Sequence, residues 1–224
     1  MPENYVERNR DCWYISKCEH DSCKDCQEFM FLDWQMKNSG LPVAKQKLVE
    51  MFYDDFNKVD WDKFDQLGEV RKNILDFVRD GKNLYICGEN TGNGKTSWAI
   101  RMLHTYLHYT AYGNYERLKG IFVSVPELLI RLKDFDDPTL KSYKKQIESV
   151  DLVIWDDIAI SGASQFDYLQ LYALINNRVF AEKSNIFTSN QTSDENLEKL
   201  LGKRLSSRIW GVSTVITLEG QDRR

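Results

Sequence analysis

The nine residues from Gly88 to Thr96 combine glycines, a lysine and a threonine at a spacing that suits phosphate binding. An apolar run at 84–87 precedes them and a helix-like segment follows, so backbone N–H groups and the helix N-terminus point at an anion. Lys95 adds positive charge, and the Thr96 hydroxyl is placed to ligate Mg²⁺. Glu89 stands where the first glycine of this pattern belongs, with Gly88 one residue early. The alternative is a chance glycine turn. We predict a nucleotide site whose contacts come from Asn90, Thr91, Gly92, Asn93, Gly94, Lys95 and Thr96.

Two adjacent acids, Asp156 and Asp157, end the apolar run at 152–155. Asp156 is expected to hold the hydration shell of Mg²⁺, and Asp157 to act as the general base that polarises an attacking water. The alternative is a strand-end acid followed by a helix cap. Together with the glycine-rich turn, the pair favours ATP hydrolysis over binding alone. An aspartate reaches less far than a glutamate, so slow turnover is expected.

Asn190 ends the next strand-like run, at 185–188. An amide at a strand tip can hydrogen-bond the γ-phosphate or the lytic water, which would make Asn190 a sensor of bound nucleotide. The alternative is an asparagine turn, since residues 191–194 resemble the start of a helix.

Four of the five cysteines lie near the start of the chain, at Cys12, Cys18, Cys23 and Cys26. The last two have the C-x₂-C spacing that lets two thiolates of one turn reach the same ion, and four thiolates satisfy tetrahedral Zn²⁺. His20 is an alternative to Cys12 as the fourth ligand, and unligated thiols are the alternative to zinc. Because a short segment buries little core, metal binding would supply most of its folding free energy.

Alternating strand-like and helix-like segments indicate a parallel sheet with helices on both faces. The predicted strands are 84–87, 120–124, 152–155 and 185–188, and the predicted helices are 44–56, 67–78, 97–103, 126–132 and 166–181. Residues 38–42 mark a break before the first of these helices. The chain has 224 residues, 42% of them hydrophobic, a net charge of −4 and no apolar run long enough to span a bilayer. We expect a cytoplasmic protein.

The residues from about 67 to 224 resemble the AAA+ ATPases, specifically the bacterial replicative helicase loaders and their relatives among initiators and transposition helpers. The resemblance rests on the motifs above, on Asn177-Arg178-Val179 and on Leu205-Ser206-Ser207-Arg208. It implies a three-layer sandwich, a homo-oligomer, and an arginine finger at Arg208 that completes the site of a neighbouring subunit. Arg204 is a second candidate, and Arg224 is a candidate second sensor. We expect a minimal ATPase without the helical lid that larger AAA+ proteins carry after the segment equivalent to Arg208.

The resemblance further implies an ATP-dependent loader that places the replicative DNA helicase on single-stranded DNA, as in phage or mobile-element replication modules. Loaders of the Gram-positive type carry a zinc-binding segment that holds the helicase. We therefore expect a zinc-binding segment with a helical linker over 1–60 and a minimal AAA+ domain over 61–224. The alternatives are a transposition helper ATPase, or a helicase-binding adaptor or inhibitor with little turnover.

Basic residues before the acid pair are candidates for DNA contact, because lysines can bind phosphates and a tyrosine can stack on a base. They are Lys133, Lys141, Lys144, Lys145 and Tyr143. The alternative is an ordinary solvated helix face.

Overall fold

A computed structural model of the chain describes residues 27–42, 61–111, 117–134, 136–160 and 162–219. Within them lie eight helices and five strands. The helices are α1 (Gln27–Asn38), α2 (Trp61–Lys72), α3 (Ile74–Arg79), α4 (Lys95–Tyr109), α5 (Val125–Arg131), α6 (Leu140–Ser149), α7 (Gln165–Phe180) and α8 (Asp194–Ile209). The strands are β1 (Asn83–Cys87), β2 (Gly120–Ser124), β3 (Leu152–Asp156), β4 (Ser184–Ser189) and β5 (Ser213–Thr217).

The strands form one parallel sheet in the order β2-β3-β4-β1-β5. Successive side chains of a strand point to opposite faces, so the sheet has two cores. Leu84 and Ile86 pack with α1 to α4, whereas Tyr85 and Cys87 pack with α5 to α8. This is the predicted α/β P-loop AAA+ architecture, and its parallel sheet between two helical layers is confirmed.

Two features of the secondary structure differ from the sequence prediction. The helix predicted over 67–78 is two helices, because the Asn73 side chain donates a hydrogen bond to the Glu69 carbonyl at 3.1 Å and the backbone turns there. Strand β5 was missed because it lies at the edge of the sheet and is only partly buried, so its sequence lacks a continuous apolar run. The helix predicted over 44–56 lies outside the described residues.

Helix α1 ends at the predicted break and covers the other edge of the sheet. The carbonyl of Ser39 accepts a hydrogen bond from the Phe122 N–H of β2 at 2.7 Å, and the Gln35 side chain accepts one from the Lys119 N–H at 3.0 Å. Leu41 extends the core shared by α1 to α4. These bonds satisfy backbone groups at an edge strand. The predicted boundary at residue 60 remains a prediction.

Arg178, on α7, lies inside the fold with 1% of its surface exposed. Its guanidinium donates hydrogen bonds at 2.6–3.3 Å to five oxygens that belong to the end of α6 and the starts of β3 and β4. They are Ile147 O, Val150 O, Asp151 O, Ser184 O and Asn185 Oδ1. Burial lowers the pKa of Arg178 to about 9, and the Asp151 carboxylate opposes that shift. Arg178 therefore connects the end of α6 to the starts of β3 and β4.

Candidate functional site

The glycine-rich turn joins β1 to α4 as predicted, and α4 begins at Lys95. Gly92 and Gly94 have φ of 78° and 96°, a conformation that favours glycine. Gly88 is required for a different reason. A Cβ there would collide with the Asn93 amide and with the carbonyl of Leu218, which follows β5. The early glycine thus reflects a contact between the turn and a segment 125 residues away.

Lys95 is buried, with 6% of its surface exposed, and its ammonium is enclosed by the glycine-rich turn. It donates hydrogen bonds to the carbonyls of Gly88 and Asn90, both at 2.9 Å, and to Asn93 Oδ1 at 3.0 Å. Three oxygens thus surround a cation at the N-terminus of a helix, where phosphate oxygens can replace them. The glycine-rich turn and Lys95 therefore fit the phosphates of a nucleoside triphosphate.

The Asn93 amide links the turn to the strand layer, because its Nδ2 donates to Leu218 O at 3.1 Å while its Oδ1 accepts from Lys95. We predict that Gly88→Ala displaces Asn93 and weakens ATP binding by about tenfold or more, since one lost hydrogen-bonded contact to a charge costs about 1.5–3 kcal/mol. Equilibrium titration with a fluorescent ATP analogue measures the change. Gly68→Ala is the matched control, because a Cβ at Gly68 meets nothing within 4 Å. Equal affinities of the two variants would contradict this account of Gly88.

Asp156 is the last residue of β3 and Asp157 follows it, and the surroundings of the two acids differ. Asp156 is buried, and its Oδ1 accepts a hydrogen bond from Thr188 Oγ1 at 2.7 Å. Asp157 is exposed and has φ of 55°, which is uncommon for a residue other than glycine. Its N–H donates to the same Thr188 hydroxyl at 3.0 Å. Strained backbone of this kind gathers at functional sites.

Electrostatics connects the acids to the glycine-rich turn. Burial lowers the pKa of Lys95, while Asp157, Cys87 and Asp156 act in the opposite direction by favouring the charged ammonium. The lysine and both predicted acids therefore share one electrostatic environment at the carboxyl edge of the sheet. Ligands of parallel α/β sheets bind at this edge.

Thr188 was missed by the sequence prediction, although its hydroxyl orients Asp156 and fixes the Asp157 backbone. The signal was present, because a hydroxyl residue one step before the end of β4 lies beside the acid that ends β3. Only the pairing of the strands shows that the two residues meet.

Asn190 follows β4 directly and is exposed at the same edge of the sheet. The loop after it is held in place, because Ser189 Oγ accepts from the Gln191 N–H at 3.0 Å and Tyr85 donates to the Gln191 carbonyl at 3.0 Å. The predicted helix start is also found, with Ser193 as the N-cap of α8. The structure thus places Asn190 on the site edge, where its sensor role remains a prediction.

Arg208 lies apart from these groups, near the end of α8. The helix has a kink at Gly202, where φ is 73°, and the kink precedes both Arg204 and Arg208. The Arg208 guanidinium lies 5.1 Å from the centre of the exposed Phe180 ring. In the described part of the chain, Arg208 has no ion pair and no hydrogen bond to the glycine-rich turn. Arg204 is exposed.

The predicted DNA-contact residues are partly engaged within the protein. Lys133 pairs with Asp167 at 3.2 Å, and Lys144 donates to Gln170 Oε1 at 2.7 Å. The ring of Tyr143 has the Arg131 guanidinium 4.5 Å from its centre. These three side chains are therefore weaker candidates for DNA contact than the sequence suggested. Lys141 and Lys145 are exposed.

The cysteine prediction, and Arg224, lie outside the described residues. Across the ranges that the structure describes, no three side chains of histidine, cysteine, aspartate or glutamate are grouped to hold a metal ion. Cys87 is buried there, with its sulfur 3.3 Å from Thr217 Oγ1. No helix within the same ranges is long and apolar enough to cross a membrane.

Comparison with known structures supports the fold. The crystal structure of DnaI is 23% identical with a TM-score of 0.60, over 73% of this chain and 90% of that one. The crystal structure of the DnaC helicase loader is 24% identical with a TM-score of 0.54, over 66% of this chain and 86% of that one. The replication initiator DnaA bound to AMPPCP and single-stranded DNA is 21% identical with a TM-score of 0.57, over 68% of this chain and 45% of that one.

Comparison with curated protein sequences gives no significant match. The family of IstB-like ATP binding proteins, in contrast, matches residues 27–211, which include the glycine-rich turn, both acids and Arg208. Because this match covers most of the sequence, the chain belongs to the IstB-like ATP binding protein family.

Proposed function

We propose that this protein is an ATP-dependent loader of the replicative DNA helicase onto single-stranded DNA, and that ATP hydrolysis switches it between helicase-bound and released states. One observation carries the proposal. Lys95, Asp156 and Asp157 share one electrostatic environment, whereas Arg208 lies elsewhere on the surface without a carboxylate partner in the described part of the chain. A binding site on one subunit and an arginine for another suit an ATPase that works only when assembled.

The turn residues bind and orient the phosphates in this proposal. Lys95 exchanges its carbonyl partners for phosphate oxygens, while N–H groups of residues 90–96 surround the anion. Thr96 and Asp156 would hold Mg²⁺, and the Thr188 hydroxyl keeps the Asp156 carboxylate in its orientation. An Mg²⁺ ion held by these residues would neutralise part of the negative charge of the phosphates.

Hydrolysis is assigned to the residues exposed at the edge. Asp157 accepts the proton of the attacking water, which its solvent-facing position allows. Asn190 orients that water or the γ-phosphate. Arg208 of an adjacent subunit stabilises the negative charge of the transition state, so turnover depends on assembly.

A subunit-mixing experiment tests the role of Arg208 in trans. Arg208→Ala and Lys95→Ala are each expected to abolish ATP turnover alone. An equal mixture should recover roughly a quarter of wild-type activity, because an intact P-loop then meets an intact arginine at one site in four. Steady-state phosphate release over a series of ratios measures the rescue, with Arg204→Ala as the comparison variant. A mixture as inactive as its parts at every ratio would exclude the trans role.

The loading activity itself is measured on circular single-stranded DNA that carries one annealed oligonucleotide and is covered with single-strand binding protein. Addition of the chain with ATP should increase the unwinding by a bacterial replicative helicase, and Lys95→Ala should not. Slower unwinding would show an inhibitor. No effect on helicases, with ATP turnover preserved, would favour the transposition helper. The similarity to the DnaC helicase loader and to DnaA with single-stranded DNA supports helicase loading.

The N-terminal cysteines are part of the proposal as a structural zinc site at Cys12, Cys18, Cys23 and Cys26. Purified full-length protein should contain about one equivalent of Zn²⁺, since four thiolates fill a closed tetrahedral site. Elemental analysis of the wild type and of Cys23→Ser with Cys26→Ser measures it. Less than about half an equivalent in the wild type would contradict the site. His20→Ala compared with Cys12→Ala then identifies the fourth ligand.

A further inference from the structure

Helix α8 changes direction within its length. In a continuous helix, two residues separated by twelve positions lie about 18 Å apart along the axis. The Ser206 hydroxyl nevertheless donates a hydrogen bond to a carboxylate oxygen of Asp194, at that separation in the chain. The change of direction occurs at Gly202, whose φ of 73° and ψ of 156° are not helical. Residues 194–201 and 203–209 are therefore two helical parts joined by this contact, and Arg208 belongs to the second part.

The second part of α8 is held in the fold by an apolar face and by a polar contact. Leu205 and Ile209, one helical turn apart, are buried in the core. Ser206 is also buried, with 1% of its surface exposed, and its hydroxyl is the group that binds Asp194. Apolar burial alone fixes the orientation of a helix only loosely, because the hydrophobic effect is not directional. A hydrogen bond to a carboxylate is directional and strong, so it fixes the orientation of the part that carries Arg208.

The partner of Ser206 lies next to the loop that carries Asn190. Asp194 begins α8 directly after this loop, and Tyr85 of β1 donates a hydrogen bond to the backbone of the loop at 3.0 Å. The Tyr85 ring also meets the ring of Trp210, which follows the second part of α8, with 5.1 Å between the ring centres and an angle of 60° between the planes. Both ends of α8 are thus tied to the strand that leads into the glycine-rich turn.

We propose that Ser206 and Asp194 are positioning residues for Arg208, because their hydrogen bond sets the direction in which the guanidinium points toward the phosphates of an adjacent subunit. The inference rests on the proposed role of Arg208 in trans. Loss of the bond leaves the nucleotide site of the same subunit intact and impairs only the arginine that this subunit supplies to its neighbour. A subunit without the bond therefore has the defect of Arg208→Ala in a weaker form.

Two adjacent serines supply a matched pair of variants for the full chain. Ser206→Ala removes the donor to Asp194, whereas Ser207→Ala removes an exposed hydroxyl that binds the Arg204 carbonyl of the same helical part at 3.2 Å. The turnover number of Ser206→Ala for ATP should fall by about tenfold to a hundredfold, because a small misplacement of a group at the reacting atoms is costly. Its affinity for a non-hydrolysable ATP analogue should stay at the wild-type value. Ser207→Ala should match wild type in both quantities.

Variants of the acceptor test the same bond from its other end. Asp194→Ala should reproduce the turnover number of Ser206→Ala, and Asp194→Asn should keep most of the wild-type activity because its amide oxygen still accepts a hydrogen bond. The double variant Ser206→Ala with Asp194→Ala should lose no more activity than Ser206→Ala alone, since both substitutions remove one contact. A double variant that multiplies the two losses would show that the residues act independently and would overturn the inference.

Mixing of subunits distinguishes a misplaced arginine from a general structural defect. Ser206→Ala mixed with Lys95→Ala should regain turnover, because Lys95→Ala supplies an intact Arg208 to the P-loop of Ser206→Ala. Ser206→Ala mixed with Arg208→Ala should gain nothing, since neither subunit supplies a well-placed arginine. The reverse pattern would place the defect in the subunit's own nucleotide site, and rescue by neither partner would indicate a merely structural role. Either result would overturn the inference.

The same measurements separate this inference from the proposed function. Turnover by Ser206→Ala equal to that of Ser207→Ala would overturn the inference and leave the proposed function standing. Absence of rescue between Lys95→Ala and Arg208→Ala would instead remove the role of Arg208 in trans, and this inference with it.

Discussion

Replacing Asp157 with asparagine is expected to lower the turnover number for ATP by about 10²- to 10³-fold, because asparagine cannot accept the proton of the attacking water. Asparagine also tolerates the left-handed backbone conformation found at Asp157, where φ is 55°, so the backbone after β3 should keep its conformation. The affinity for ATP should stay near that of wild type, since Lys95 and the turn are unchanged. Single-turnover hydrolysis and equilibrium binding measure the two quantities.

Asp76→Asn serves as the control for this substitution. Asp76 is an exposed aspartate on α3 that pairs with Arg79, on the helical layer opposite Arg208. Its variant should hydrolyse ATP at the wild-type rate. A rate for Asp157→Asn that matches this control would show that Asp157 is not the general base. A lost affinity for ATP would show instead that the acid belongs to the binding of the nucleotide.

The second large effect is expected on stability. Arg178→Met should lower the free energy of unfolding by about 3–5 kcal/mol. The substitution removes the guanidinium that donates to five oxygens, and these buried oxygens are then left without a hydrogen-bond donor. The carbonyls of Ile147 and Val150, at the end of α6, lose a cationic partner that also suits the negative end of a helix dipole. Urea unfolding of the wild type and the variant measures the difference.

Arg79→Met is the matched control, because Arg79 is exposed and its ion pairs with Asp76 and Asp80 lie in water. Its urea midpoint should stay close to that of wild type. The urea midpoint of Arg178→Lys should lie between those of Arg178→Met and Arg79→Met, since an ammonium has fewer donors than a guanidinium. A midpoint for Arg178→Met equal to the control's would mean that the cluster does not depend on this residue.

The central part of the fold was predictable from local sequence. A strand, a glycine-rich turn and a helix stand next to each other in the chain, so the positions of Lys95 and Thr96 follow from the order of residues alone. The same holds for Asp156 and Asp157, because an apolar run ending in two acids is also a local pattern. The parallel sheet followed from helices between apolar runs.

Contacts between distant segments could not be read in this way. The reason for Gly88 lies at Leu218, and the partner of Asp156 is Thr188 on the adjacent strand. Arg178 looked like part of a family motif, yet its hydrogen bonds join α6, β3 and β4. Each depends on which strands and helices become neighbours, and helical spacing does not say which face of α7 meets the core.

The most direct test is co-elution of the full chain with a bacterial replicative helicase in the presence of Mg²⁺ and a non-hydrolysable ATP analogue. The account predicts a stable complex with the analogue and a weaker one with ADP. It predicts no complex for Lys95→Ala, because this variant lacks the ammonium at the phosphate site. No complex with any of several helicases would contradict the loader. So would a complex that forms equally with and without nucleotide and survives Lys95→Ala.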